Sequence, residues 1–142
     1  MTPNQSKSGA KYDKETYNSK AILLVDDDRQ LVEALQWILG DSNVQVDIAY
    51  DGEDALAKVK ERQYDAVVCD VVMPKKSGPK FHAEATELFP ELAEKFVFIT
   101  GHPEDPKSWS FLTCSQSKCL IKPFPMQDLI GEVKKTISEG KK

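Results

Sequence analysis

The sequence predicts an α/β fold, with a parallel sheet wrapped by helices on both faces. Three observations carry this. Short, wholly apolar runs recur at Ala21–Val25, Ala66–Cys69 and Phe96–Ile99; they are rich in β-formers and too short for helices. Amphipathic segments with apolar residues three and four apart alternate with them. The runs stop at polar groups, Asp26, Asp70 and Thr100. Alternating strands and helices make a parallel sheet, and ligands collect at the carboxyl ends of its strands.

Each element follows in order. Residues 1–19 hold Ser, Asn, Lys, Thr and Gly with little to bury, so they read as a flexible tail or linker before one domain over 20–140. The first strand, Ala21–Val25, ends in Asp26-Asp27-Asp28. A helix is expected over 29–39, with Leu31, Leu35, Ile38 and Leu39 on its apolar face, Asp28 as N-cap and Gly40 at its end. Val44, Val46 and Ile48 alternate in a second strand over 44–49, Asp51-Gly52 turns the chain, and Ala55, Leu56 and Val59 mark a helix over 53–62. The third strand ends at Asp70, because Pro74 forbids a central strand or helix beyond it. A helix over 79–89 follows, carrying Phe81, Ala85, Leu88 and Phe89, and then a strand over 95–100. Asp105 and Pro106 suit the start of a short helix over 105–112. Cys119–Ile121 is a short fifth strand, and Leu129, Ile130, Val133 and Ile137 line a last helix over 126–138. Five strands alternating with five helices, with right-handed crossovers, limit the topology, and the flavodoxin-like doubly wound order 2-1-3-4-5 is expected.

Composition narrows the function. A chain of 142 residues suits one domain with a real core. The formal charge is −4 and no basic run stands out in the domain, which argues against direct nucleic-acid binding. No apolar run approaches the ~20 residues of a membrane helix, and the N-terminus is not signal-like. Cys69, Cys114 and Cys119 are odd in number and lack metal-ligand spacing, so a reduced, cytoplasmic setting is expected. Cys69 reads as core, His82 and His102 as surface residues, and Trp37 and Trp109 as packing or surface aromatics. No Gly-rich phosphate loop is present, which disfavours nucleotide or flavin binding.

In the order 2-1-3-4-5, strand ends bring Asp26, Asp27 and Asp28 together with Asp70, Thr100 and Lys122 at one edge. Carboxylates so close repel one another, and a hard divalent cation relieves that repulsion. Mg²⁺ prefers one or two carboxylates, waters and a phosphate oxygen, which suits Asp26 or Asp27 with Asp70 and a main-chain carbonyl near Val72. Lys122 can neutralise a phosphate oxygen and Thr100 can donate to another. The combination implies phosphoryl chemistry at Asp70.

The set Val25-Asp26-Asp27-Asp28, Cys69–Pro74, Ile99-Thr100-Gly101 and Ile121-Lys122-Pro123-Phe124 resembles the receiver domain of two-component response regulators, from about Lys20 to Ser138. Its run from Thr100-Gly101 to Leu120–Phe124 is also similar to receivers of hybrid sensor histidine kinases. The resemblance implies that Asp70 is a phosphoacceptor charged by a histidine kinase or histidine phosphotransfer protein. It implies Mg²⁺ held by Asp26, Asp27 and Asp70 with the Val72 carbonyl, Thr100 turning toward the phosphoryl group, Lys122 pairing with it, and a cis Lys122-Pro123 bond. Such a chain is a self-phosphorylating switch with autodephosphorylation rather than a conventional enzyme. Output is expected through a partner or a further domain, read from the face of the fourth helix, fifth strand and fifth helix.

The sequence departs from the family pattern at Cys119, where an aromatic switch residue is usual three positions before the lysine, and at Ser115-Gln116, where Gly-Ala is common. Pro103 and Pro106 also make the fourth helix unusual. Two other readings are a degenerate receiver serving as a protein-binding module and a metal-dependent aspartyl phosphatase. Val72 stands where the phosphatases usually carry a second Asp. His102, two residues past Thr100, is a candidate for tuning phosphate lifetime.

Overall fold

The computed structural model describes residues 20–40, 43–101 and 118–139. Five strands form one parallel sheet: β1 (Lys20–Val25), β2 (Val44–Ala49), β3 (Ala66–Asp70), β4 (Phe96–Thr100) and β5 (Lys118–Ile121). Their order is β2-β1-β3-β4-β5, as expected. Among the described residues there are four α-helices rather than five: α1 (Arg29–Leu39), α2 (Gly52–Glu61), α3 (Gly78–Leu88) and α4 (Met126–Glu139). The helix expected over 105–112 lies outside the described residues, as do the 1–19 tail, His102, Trp109, Cys114 and Ser115-Gln116.

Strand alternation explains the two helical layers. Leu23, Val25, Val67, Cys69, Phe96 and Phe98 face one side with Ala55 and Val59 of α2 and Phe81 and Ala85 of α3. Ile22, Leu24, Val68, Val97 and Ile99 face the other, against Val32 and Leu35 of α1 and Leu129 and Val133 of α4. A central strand buried on both faces therefore needs continuous apolar sequence, as β3 and β4 have. Each large side chain so buried contributes about 1.5–3 kcal/mol.

Several boundaries and faces differ from the sequence expectation. Asp51 is not part of a free turn: its carboxylate caps α2 by accepting from Asp54 N–H at 2.8 Å, and Gly52 is already helical. In α1 the buried positions are Val32 and Leu35, while Ile38 is exposed. Leu88 is likewise exposed, and Pro90–Glu94 forms a 3₁₀ turn that buries Leu92 and returns the chain to β4. His82 is not simply on the surface. Its ring meets Phe96 edge-on at 4.7 Å between centroids, and burial lowers its pKa. Trp37 stands out in solvent, 85% exposed.

Candidate functional site

The sheet register builds the site. Val25 pairs with Cys69, so the next residues, Asp26 and Asp70, leave the strand ends side by side. Each continues the face that carries α1 and α4, because Asp26 follows Ile22 and Leu24, and Asp70 follows Val68. Both acids are buried; Asp27, one position on, is exposed.

Hydrogen bonds fix these carboxylates. Asp26 Oδ1 accepts from Asp28 N–H at 2.9 Å, while the Asp28 side chain accepts from Leu31 N–H and caps α1. Asp70 Oδ1 accepts from Val72 N–H at 3.3 Å. The remaining oxygens face Lys122, whose Nζ lies 2.9 Å from Asp26 Oδ2 and 3.4 Å from Asp70 Oδ2. Lys122 arrives from β5 through a main-chain bond, its N–H donating to Thr100 O at 2.8 Å, and the Lys122-Pro123 bond is cis. Thr100 is fully buried at the end of β4.

Three acids and one ammonium leave an excess of negative charge. Ligand oxygens of Asp26, Asp27 and Asp70 lie within 4.8 Å of one another. Burial pushes the Asp70 pKa up to about 6, the neighbouring Asp26 charge adds to that rise, and Lys122 opposes it. Burial works against the charged form of Lys122, yet its bonds to the two carboxylates outweigh burial and raise its pKa. A clustered, all-oxygen donor set with one polar partner fits a hard divalent cation.

The loop after Asp70 folds tightly over the strand end. Val71 N–H donates to Ile99 O at 3.0 Å, and Gly78 N–H returns to Val71 O at 2.9 Å. A Cβ on Gly78 would lie 2.4 Å from Asp70 O, so only glycine fits there. The helix expected from the sequence began one residue later, at 79, with no role for Gly78. A glycine directly after the Ser77 cap, as the first residue of α3, was the available signal.

The sequence model of the response regulator receiver domain matches residues 22–134. The chain belongs to the response regulator receiver domain family. It is 30% identical over 118 residues to the response regulator receiver protein CpdR of Brucella abortus, covering 83% of this chain and 97% of that protein. It is 28% identical over 113 residues to the transcriptional regulatory protein DltR of Streptococcus agalactiae, covering 80% of this chain but 50% of DltR. The chain thus spans about half the length of that relative. A CheY-like receiver domain protein from Methanospirillum hungatei superposes with a TM-score of 0.77 at 26% identity, covering 87% of this chain and 97% of the other.

Asp26, Asp27, Asp70 and Lys122 form one cluster, with the Val72 main chain bonded to Asp70 and Thr100 at the next strand end. Cys119 sits apart, part-buried on β5 against the Phe98 side of the core, and burial raises its pKa. No helix among the described residues is long and apolar enough to cross a membrane.

Proposed function

We propose that this receiver domain is a phosphoacceptor switch whose nucleophile is Asp70. One observation carries the proposal: Lys122 Nζ bridges Asp26 Oδ2 and Asp70 Oδ2 at 2.9 and 3.4 Å, with Asp27 alongside. An Asp70 carboxylate oxygen bonds to the phosphorus of a phosphohistidine as the P–N bond breaks. The leaving imidazole keeps the bonding pair and takes a proton from solvent. Asp26, Asp27, Asp70 and the Val72 carbonyl would hold Mg²⁺, which supplies charge to the phosphoryl oxygens when bound. Lys122 exchanges part of its contact with Asp26 for a phosphoryl oxygen, and the Thr100 hydroxyl donates to another. Water later attacks phosphorus and returns the carboxylate with inorganic phosphate.

The donor is a histidine kinase or histidine phosphotransfer protein. Output passes to a partner or to a further domain of a longer protein. Of the face expected to carry it, β5 and α4 are described, and Ile121 is half exposed there. Cys119 replaces the usual aromatic, so the switch works through Thr100 and the β5 backbone without a swinging ring. Incubation with Mg²⁺ and a small acyl phosphate tests the proposal by intact mass. One added phosphoryl group is expected in the natural chain and none in Asp70→Asn. An adduct that persists in Asp70→Asn removes Asp70 from the role.

A further inference from the structure

The loop Val71–Ser77 carries the main chain that meets Asp70, and it makes an unusual turn. Lys76 N–H donates to Pro74 O at 2.7 Å, closing a three-residue turn, and the central Lys75 has φ 68°. This is the rarer, strained form of γ-turn, and a lysine holds such a φ only where its surroundings impose it. The surroundings are the N-terminus of α2. A Cβ on Gly52 would lie 2.3 Å from Lys76 O and 2.6 Å from Lys76 Cβ, so the helix end rests directly on the turn's backbone. Lys75 Nζ pairs with Asp51 Oδ2 at 3.5 Å, while Asp51 Oδ1 caps α2. On the far side Lys76 Nζ meets Glu84 Oε1 of α3 at 2.8 Å.

We infer that the N-terminus of α2 and the Lys75–Lys76 turn form a clasp that sets where the Val72 main chain lies over Asp70, making Gly52 a positioning residue for the divalent-cation site. The clasp's ion pairs go to Asp51 and Glu84, outside the acid cluster. The clasp's effect passes along the loop, which is closed at its other end by Gly78 N–H to Val71 O. Only Met73 and Pro74 lie between Val72 and Lys75, which leaves little slack, so a shift of the turn moves the Val72 amide and carbonyl with it. An exposed ion pair such as Lys75–Asp51 holds weakly, so the steric contact at Gly52 is the stronger element. This inference rests on the reading of the acid cluster as a cation site.

The test uses Mn²⁺ as the probe, titrated into the whole chain and followed by the paramagnetic resonance of free Mn²⁺, with metal-free melting temperature measured beside it. Gly52→Ala is expected to weaken Mn²⁺ binding at least about fivefold. Ala57→Gly, exposed within α2, weakens the same helix by its backbone without touching the turn. It is expected to lower the melting temperature yet bind Mn²⁺ within about twofold of the natural chain. Should Gly52→Ala fail to fold, the double variant Asp51→Asn with Glu84→Gln keeps the helix cap, releases both ion pairs, and is expected to weaken binding about threefold or more. Natural affinity in the variant that folds, or an equal loss in Ala57→Gly, overturns the clasp alone. Failure of the natural chain to bind Mn²⁺ overturns the cation-site reading and the clasp with it.

Discussion

Lys122 Nζ donates to Asp26 Oδ2 at 2.9 Å, tying together positions 96 residues apart. The acid is buried and the lysine is partly so. A pair of this kind is costly to break from one side, because the abandoned charge stays desolvated. Lys122→Met should therefore destabilise the metal-free protein by about 1–3 kcal/mol in urea unfolding. Added Mg²⁺ should recover part of that loss, and phosphorylation by a small acyl phosphate should fall sharply. Unchanged stability would mean that the ammonium is dispensable to the acid cluster.

Asp70 sets a pH dependence. Its folded pKa is raised from 3.8 to about 6, first by burial and then by Asp26. The folded state thus favours the protonated acid more than the unfolded chain does. That contribution is complete below the unfolded value and is lost as pH rises through about 6. Asp70→Asn cannot ionise, so it should be the more stable protein above that pH by about 1–2 kcal/mol, with the two curves converging toward pH 4. Urea unfolding in chelator across this range checks the sign. A variant less stable than the natural chain at neutral pH contradicts the burial argument.

Mg²⁺ should raise the melting temperature of the natural chain, with the increment growing logarithmically once its concentration exceeds the dissociation constant. Asp27 is the exposed member of the cluster and carries little core packing. Asp27→Asn should keep the metal-free melting temperature within a few degrees and lose most of the Mg²⁺ increment. Differential scanning calorimetry with and without metal reads both quantities.

Tyr64 offers a control far from this chemistry. Its hydroxyl donates to Asp47 Oδ2 at 2.6 Å, and burial followed by that carboxylate pushes its pKa up. Tyr64→Phe should lower stability by about 1–2 kcal/mol and leave acyl-phosphate labelling intact. Loss of labelling at unchanged stability would reveal coupling between the two ends of the sheet.

Much of this was legible in the sequence because strand period and strand ends are local signals. The runs before Asp26, Asp70 and Thr100 had to be buried on both faces, and the order β2-β1-β3-β4-β5 then brings those ends together. Helix faces were less legible. Val32 and Ile38 are both apolar, and only tertiary packing decides that Val32 enters the core while Ile38 stays out. Gly52 and Gly78 carried almost no signal, since each close backbone approach depends on how the loop after β3 folds back, onto α2 at Lys76 and onto the strand end at Asp70. Asp51 misled as a turn residue for a related reason. The same side chain that suits a turn also suits an N-cap.

The central claim is that phosphoryl chemistry occurs at Asp70. Borohydride reduction of acyl-phosphate-treated protein, followed by peptide mass mapping, tests it most directly, because an aspartyl phosphate is reduced to homoserine at the position it occupied. Homoserine is expected at position 70, dependent on Mg²⁺ and absent without the phosphodonor. Homoserine at position 26 or 27, or none anywhere in a folded protein with Mg²⁺ bound, would contradict it.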